Sequence, residues 1–302
     1  MTPAGWLRRR IAAGPLLVCP GAANALTARV IEECGFEAVY VTGAGIANTY
    51  LGAPDVGLVT LSELAGHVAA IREAVALPLI VDADTGFGNP VGVGRTVRVL
   101  ERAGADAVQI EDQVHPKRCG HFTGKEVVPA DEMVAKVRAA VDARRDDDLI
   151  VIARTDARAV DGFDAAIERA ARYAEAGADV TFVEAPANLD ELLAVPRRLP
   201  DVPQVANLVE GGQTPTVPLD RLADFRIAIF ANIALQGAIR GMQRALGTLR
   251  DTGSLSAAAA DVASWDERQR IVRKPAFDEL ERRYAPPPPS PPAPAPPFAA
   301  QP

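Results

Sequence analysis

The stretch Leu79-Ile80-Val81-Asp82-Ala83-Asp84 decides the fold. A short apolar run ends abruptly in carboxylates, and the same punctuation recurs along the chain. Apolar runs at 16–18, 38–41, 79–81, 107–110, 149–153, 180–183, 204–206 and 226–229 read as strands. They are continuous rather than alternating, as expected where both faces of a strand are covered. Between them lie alanine-rich amphipathic stretches at 23–34, 61–75, 91–103, 130–143, 164–176, 189–199 and 219–223, with a further helix at 235–249. Asp131, Asp164 and Asp190 fall near helix starts, where carboxylates meet unpaired amides. Gly104 and Gly177 follow helices in matching Ala-Gly-Ala-Asp tetrapeptides, as helix-ending residues. Strand–helix pairs in one unbroken series predict a closed parallel (β/α)8 barrel, an α/β fold of the TIM type. An open doubly wound sheet would place a glycine-rich phosphate turn after its first strand. Here that strand runs into Cys19-Pro20-Gly21-Ala22-Ala23-Asn24, which is not such a turn.

The bulk properties agree. Of 302 residues, 1–250 are expected to form the barrel and 251–285 a C-terminal helical arm. The Pro- and Ala-rich stretch 286–302 has no means of burying a core and is expected to stay extended. A net charge of −7 argues against nucleic acid or an anionic membrane as partner. An anionic substrate must therefore find local cations. No apolar run is long enough to span a bilayer, and Arg8-Arg9-Arg10 is not followed by a signal-peptide core. Cys19, Cys34 and Cys119 are odd in number and lack metal-like spacing, which fits a reducing cytoplasm.

The chemistry is expected where the strands end, because barrel sites are built from the C-terminal ends of strands. There the sequence sets Thr42-Gly43-Ala44, Asp82-Ala83-Asp84, Glu111-Asp112, Arg154-Thr155-Asp156, Glu184 and Asn207. Any one of these could be a cap or turn residue, and for Asp156 that reading stands level with a functional one. Their recurrence at one end of six strands points to a site. Asp82 and Asp84, at i and i+2, should point to the same side of their strand. With Glu111 they bring together three anionic oxygen donors, a set poorly tolerated without a cation. All-oxygen ligation favours Mg²⁺ or Mn²⁺ over zinc, and Mg²⁺ keeps several waters, so one carboxylate can suffice as direct ligand.

A second constellation is Lys117-Arg118-Cys119-Gly120-His121. Cations and a histidine beside a thiol favour the reactive thiolate, and Gly120 and Gly124 let the loop move. Cys19 and Cys34 sit in apolar runs and read as small core residues. His121 reads equally as a brace of the loop or a member of the site, His67 as a surface residue, and His115 remains open. Arg154, with Arg118, can grip a carboxylate in a bidentate fork.

These stretches, together with Ile110-Glu111-Asp112-Gln113 and Asn207-Leu208-Val209-Glu210-Gly211-Gly212, resemble the isocitrate lyase/phosphoenolpyruvate mutase superfamily over residues 14–284. The similarity is to its short-chain branch of 2-methylisocitrate lyases, 2,3-dimethylmalate lyases and carboxyvinyl-carboxyphosphonate phosphorylmutases. The resemblance implies a barrel whose eighth helix is swapped between subunits of a homotetramer, a dimer of dimers. It implies Mg²⁺ at Asp82, with Asp84 and Glu111 acting through water. Thr42, Gly43, Ala44, Arg118, Gly120 and Asn207 would contact a small carboxylate substrate. Arg154, Glu184, His121, Lys117 and Asp55 would surround the reacting centre, and Cys119 would protonate the leaving enolate. The implied activity is carbon–carbon cleavage of a 2-hydroxy di- or tricarboxylate. Phosphorus transfer, oxaloacetate hydrolysis or decarboxylation, and an inactive carboxylate-binding barrel are the alternatives. Three departures stand out: Phe122-Thr123-Gly124-Lys125 replaces a more basic stretch, Phe230-Ala231-Asn232 replaces Tyr-Pro, and Gln236 stands where an arginine is usual.

Overall fold

A computed structural model of the chain describes residues 1–120 and 124–286. Eight strands form one parallel sheet: β1 Leu17–Ala22, β2 Val39–Val41, β3 Leu79–Asp82, β4 Ala107–Glu111, β5 Ile150–Thr155, β6 Val180–Val183, β7 Val205–Asn207 and β8 Ile227–Phe230. The hydrogen-bonded order is β6-β5-β4-β3-β2-β1-β8-β7, and a parallel bridge between Thr181 and Gln204 brings β6 beside the start of β7. The ring is thus nearly closed, as the strand–helix alternation predicts.

Alternate strand residues enter two different cores. Tyr40, Ile80, Ala107, Ile150, Ile152, Val180, Phe182, Val205 and Ile227 pack together inside the barrel. Val39, Val41, Leu79, Val81, Val108, Ile110, Val151 and Ala153 pack outward among the helices. Both sets are apolar, which is why the strands read as unbroken runs. Counting by twos from the inward set reaches Thr42, Asp82, Glu111, Arg154, Glu184 and Asn207. The inner face therefore changes from apolar to polar in its last layer, at the C-terminal mouth.

The helix Pro3–Ala13, not foreseen in the sequence, sends Leu7 and Ile11 into the inner core. Its start is fixed by Thr2, whose hydroxyl accepts from the Gly5 amide at 3.1 Å, and by proline in the first turn. Gly104 and Gly177 adopt φ of 103° and 106° at helix ends, as expected. Asp131, Asp164 and Asp190 lie in first turns, but the caps are Pro129, Gly162 and Asn188. The expected helix at 219–223 is a single 3₁₀ turn, Leu219–Leu222.

The described chain forms two compact units, Met1–Val262 and a second beginning at Ala263. In the first, the helix Ile233–Thr252 buries none of its residues and exposes Ile239, Met242, Leu246 and Leu249. The second holds helices Trp265–Ile271 and Lys274–Tyr284, separated at Arg273, whose φ is 58°. Of the Pro- and Ala-rich stretch, residues 287–302 lie outside the described residues. Among the described residues, no helix is long and apolar enough to cross a membrane.

Candidate active site

The polar layer surrounds a cavity of about 40 Å³ at the mouth, lined by Tyr40, Thr42, Ala44, Asp55, Asp82, Lys117, Cys119, Gly120, Arg154, Glu184, Asn207 and Asn232 among others. Asp84 and Glu111 adjoin this lining: Lys117 Nζ lies 2.7 Å from Asp84 Oδ1, and Arg154 Nε 3.3 Å from Glu111 Oε2. The expected residues from six strand ends are thus brought to one place.

Asp82 and Asp84 do converge, but not because they share a strand face. β3 ends at Asp82, and Asp84 turns with φ of 49°. The turn lets both carboxylates flank Gly43, where an added Cβ would meet Asp82 Oδ2 and Asp84 Oδ1 at 3.3 Å each. The glycine keeps the backbone close to the acids. Thr42 caps the short helix Gly43–Ile46, its hydroxyl accepting from the Gly45 amide at 3.1 Å. The amides of Gly43 and Ala44 lie in that first turn, which has no intrahelical acceptors for them.

The charges are uneven. Burial, the largest influence, lifts the Asp84 carboxyl to about 6 against the pull of Lys117. Burial likewise holds Glu111 well above the usual carboxylate range, although Arg154 opposes it. Burial tends to discharge Lys117, but Asp84, Glu111 and Asp55 outweigh it and keep the ammonium charged. Its nitrogen sits 2.5 Å from Asp55 Oδ1.

Arg154 differs from expectation. Its bidentate fork is taken by Asp156, with Nε to Oδ2 and Nη2 to Oδ1 both at 2.9 Å. Nη1 reaches Glu184 Oε2 at 3.2 Å, and the guanidinium lies over the Phe182 ring at 5.3 Å. Buried Asp156 is nevertheless held down to about 2, because Arg154 and Lys125 outweigh desolvation. Its amide donates to Asp112 Oδ1 at 2.9 Å, and Asp112 also accepts from Thr155 and Tyr173. Asp156 is therefore a buried orienting acid rather than a helix cap.

Other expected residues divide. Cys119 lines the cavity, its amide donating to the Asp55 carbonyl at 3.1 Å. Gly120 packs so closely that a Cβ would fall 2.3 Å from Arg154 Nη2 and 2.8 Å from Glu184 Cγ. Asn207 Nδ2 donates to Glu184 Oε2 at 3.2 Å. Arg118 is exposed and lines a neighbouring groove of about 590 Å³ with His115 and Pro116, so it is not among the residues lining the cavity. Gln113 holds its backbone at both the amide and the carbonyl. His121 lies outside the described residues. His67 packs edge-on against Tyr50 and is not among the residues lining the cavity.

Sequence reasoning passed over Tyr40, Gln109, Lys125 and the cavity-facing role of Asn232. Gln109 Nε2 donates to Tyr40 Oη at 3.0 Å and to Asp82 Oδ1 at 3.3 Å, which fixes the aspartate. Both lie at inward strand positions, so the alternation of β2 and β4 would have found them.

Among the described residues, no three Asp, Glu, His or Cys side chains form a ready-made metal cage. The donors nonetheless fit an oxygen-liganded divalent cation held partly through water. Glu111 Oε1 is buried with no hydrogen-bond partner among the described residues, and Asp82, Asp84 and Glu111 are all at most 9% exposed. Uncompensated buried carboxylate of this kind is stabilised by a bound cation.

Comparison with known proteins agrees. The family model described as phosphoenolpyruvate phosphomutase matches residues 7–250. The 2,3-dimethylmalate lyase of Eubacterium barkeri is 40% identical over 94% of this chain and 99% of its own length. The 2-methylisocitrate lyase of Aeropyrum pernix is 46% identical, covering 82% of this chain and 80% of its own. Among solved structures, phosphonopyruvate hydrolase in complex with oxalate and Mg²⁺ superposes with a TM-score of 0.86 at 32% identity, over 94% of this chain and 99% of that one. From its strand-end acids to its overall architecture, the chain belongs to the phosphoenolpyruvate mutase family within the isocitrate lyase/phosphoenolpyruvate mutase superfamily.

Proposed function

We propose that this protein is a divalent-metal-dependent carbon–carbon lyase. Its substrate is a 2-hydroxy di- or tricarboxylate of the 2,3-dimethylmalate or 2-methylisocitrate kind, cleaved to a 2-oxo acid and a second carboxylate. The observation that carries the reading is that Cys119 lines the same cavity as Asp82, Lys117, Arg154, Glu184 and Asn207. A proton donor thus adjoins an anion-binding centre, and the relatives from Eubacterium barkeri and Aeropyrum pernix are named as lyases.

Asp82 would hold Mg²⁺ or Mn²⁺ directly, with Asp84 and Glu111 contributing through water. The ion, when bound, supplies Lewis-acid stabilisation of the charge that develops on substrate oxygen. The Gly43 and Ala44 amides and the Arg154 guanidinium bind the 2-hydroxy acid end. Asn207 and Glu184 border its other side. The substrate hydroxyl gives its proton to a cavity base as the carbon–carbon bond breaks. The electron pair of that bond passes to the departing fragment as an enolate, and Cys119 Sγ supplies the proton to its carbon. Lys117 bridges Asp55 and Asp84 at the base of the segment that bears the thiol.

The bare apolar residues of the helix Ile233–Thr252 support subunit association, in a homotetramer that exchanges this helix. The three thiols, none in a disulfide, suit a cytoplasmic enzyme. Residues 1–250 carry the catalytic part and the following helices an arm.

The test is a Mg²⁺-supplemented panel of dimethylmalate, methylisocitrate, citramalate, isocitrate and oxaloacetate, read by 2-oxo acid release. Release that stops on chelation is expected. No release from any acid would overturn the reading. A phosphorus resonance that shifts on a phosphonate substrate would reassign the site to phosphorus transfer.

A further inference from the structure

Lys125 belongs to none of the roles above, yet its side chain is almost completely buried, at 1% exposure. Buried lysines are rare unless paired, because desolvating an ammonium costs several kcal/mol. Its nitrogen donates to two acceptors: the Gly120 carbonyl, and Asp156 Oδ1 at 2.9 Å. The first belongs to the residue next to Cys119. The second belongs to the carboxylate that grips both arms of the Arg154 fork. Gly120 also presses directly on that guanidinium, leaving no room for a side chain between them. One ammonium therefore joins the backbone that carries the thiol to the acid that aims the arginine. A buried ion pair adds little to stability by comparison with apolar packing, so what it offers here is a defined arrangement.

We propose that Lys125 is a positioning residue that holds the Cys119–Gly120 backbone and the Arg154 guanidinium in one register through Asp156. The inference rests on the lyase reading for what the register achieves: thiol and guanidinium must address the same substrate together. Without the ammonium, the Gly120 carbonyl loses its buried donor and the Asp156 carboxylate is left to Arg154. The segment bearing Cys119 then loosens while the acid cluster of Asp82, Asp84 and Glu111 keeps its own partners.

The experiment compares the full-length wild type with Lys125→Met and Lys125→Arg. Alkylation of Cys119 by iodoacetamide is followed by peptide mass spectrometry, with exposed Cys34 as internal reference. In Lys125→Met, Cys119 should alkylate about tenfold faster, the equivalent of one lost charged hydrogen bond, while Cys34 is unchanged. On an acid that the wild type cleaves, kcat should fall about tenfold with KM within a few-fold. Partial recovery of both readings in Lys125→Arg would support the assignment. Should Lys125→Met fail to fold, Lys125→Gln keeps a donor for Gly120 without the charge and is read in the same way. Wild-type alkylation and turnover in a folded variant would overturn the proposal and leave Lys125 a structural ion pair. If the wild type cleaves no acid, the lyase reading falls, and the alkylation arm still decides whether Lys125 holds the thiol segment.

Discussion

The two ends of the barrel carry charge in opposite ways. At the N-terminal end the strand-start acids Asp179 and Asp106 are matched. Asp179 receives Arg8 at 2.7 Å, Arg144 at 3.0 Å and the Val151 amide at 2.9 Å. Asp106 receives Arg72 at 2.9 Å and the Leu79 amide at 2.8 Å. At the C-terminal mouth, the acids Asp55, Asp82, Asp84, Glu111, Asp156 and Glu184 share the cations Lys117, Lys125 and Arg154. Glu111 Oε1 has no hydrogen-bond partner among the described residues. Matched acids staple loops to strands. Unmatched buried acids are held at a cost that a bound cation can offset, which is the mark of a binding site rather than of stability.

The comparison can be broken by substitution. The largest effect is expected for Cys119→Ala, which should lower kcat by about 10³-fold with little change in KM. Turnover near that of the wild type would remove the thiol from the chemistry. Next, Glu111→Gln should weaken Mg²⁺ affinity or turnover by about 10–100-fold. The same change should raise the unfolding midpoint of the metal-free protein at neutral pH. Burial lifts the Glu111 pKa in the folded state, so ionising it at neutral pH opposes folding, and the amide removes that penalty. Calorimetry in chelator reads the second effect, and a lowered midpoint would contradict the contrast. At the other end, Asp179→Asn should cost about 1–3 kcal/mol of stability while kcat per folded enzyme stays unchanged. Denaturant titration beside kinetics checks both halves.

The smallest effect concerns acid. Asp156 is held at about 2 in the folded chain, against an ordinary value of 3.8. A depressed carboxylate contributes stability that is complete above its unfolded pKa and is lost as pH falls towards the folded one. The stability gap between wild type and Asp156→Asn should therefore shrink steadily below about pH 4. Denaturant titrations at stepped pH measure it, and a constant gap would mean that the ion pairs with Arg154 and Lys125 contribute nothing.

Much of the molecule is legible in its residue order. The strand runs, the barrel and the row of strand-end residues follow from periodicity, because continuous apolar runs closed by polar residues leave few other folds. The helix Pro3–Ala13 is not legible in this way, since its role depends on Leu7 and Ile11 meeting a core formed by distant strands. Arg118 illustrates the reverse case. Beside Cys119 in sequence, it lines an outer groove because its backbone is held by Gln113. Asp84 stands where the pattern puts it, but a left-handed turn rather than strand alternation sets it there.

The amino-acid order alone determined the barrel, the identity of most of the mouth residues and the excess of acid among them, because each of these is a matter of period and composition along the chain. Which acid grips Arg154, and that buried Lys125 joins it to the thiol segment, were decided only by the tertiary structure. Those pairings link residues from separate loops, and hydrogen-bond geometry in a dry interior is fixed by distances that no local pattern encodes.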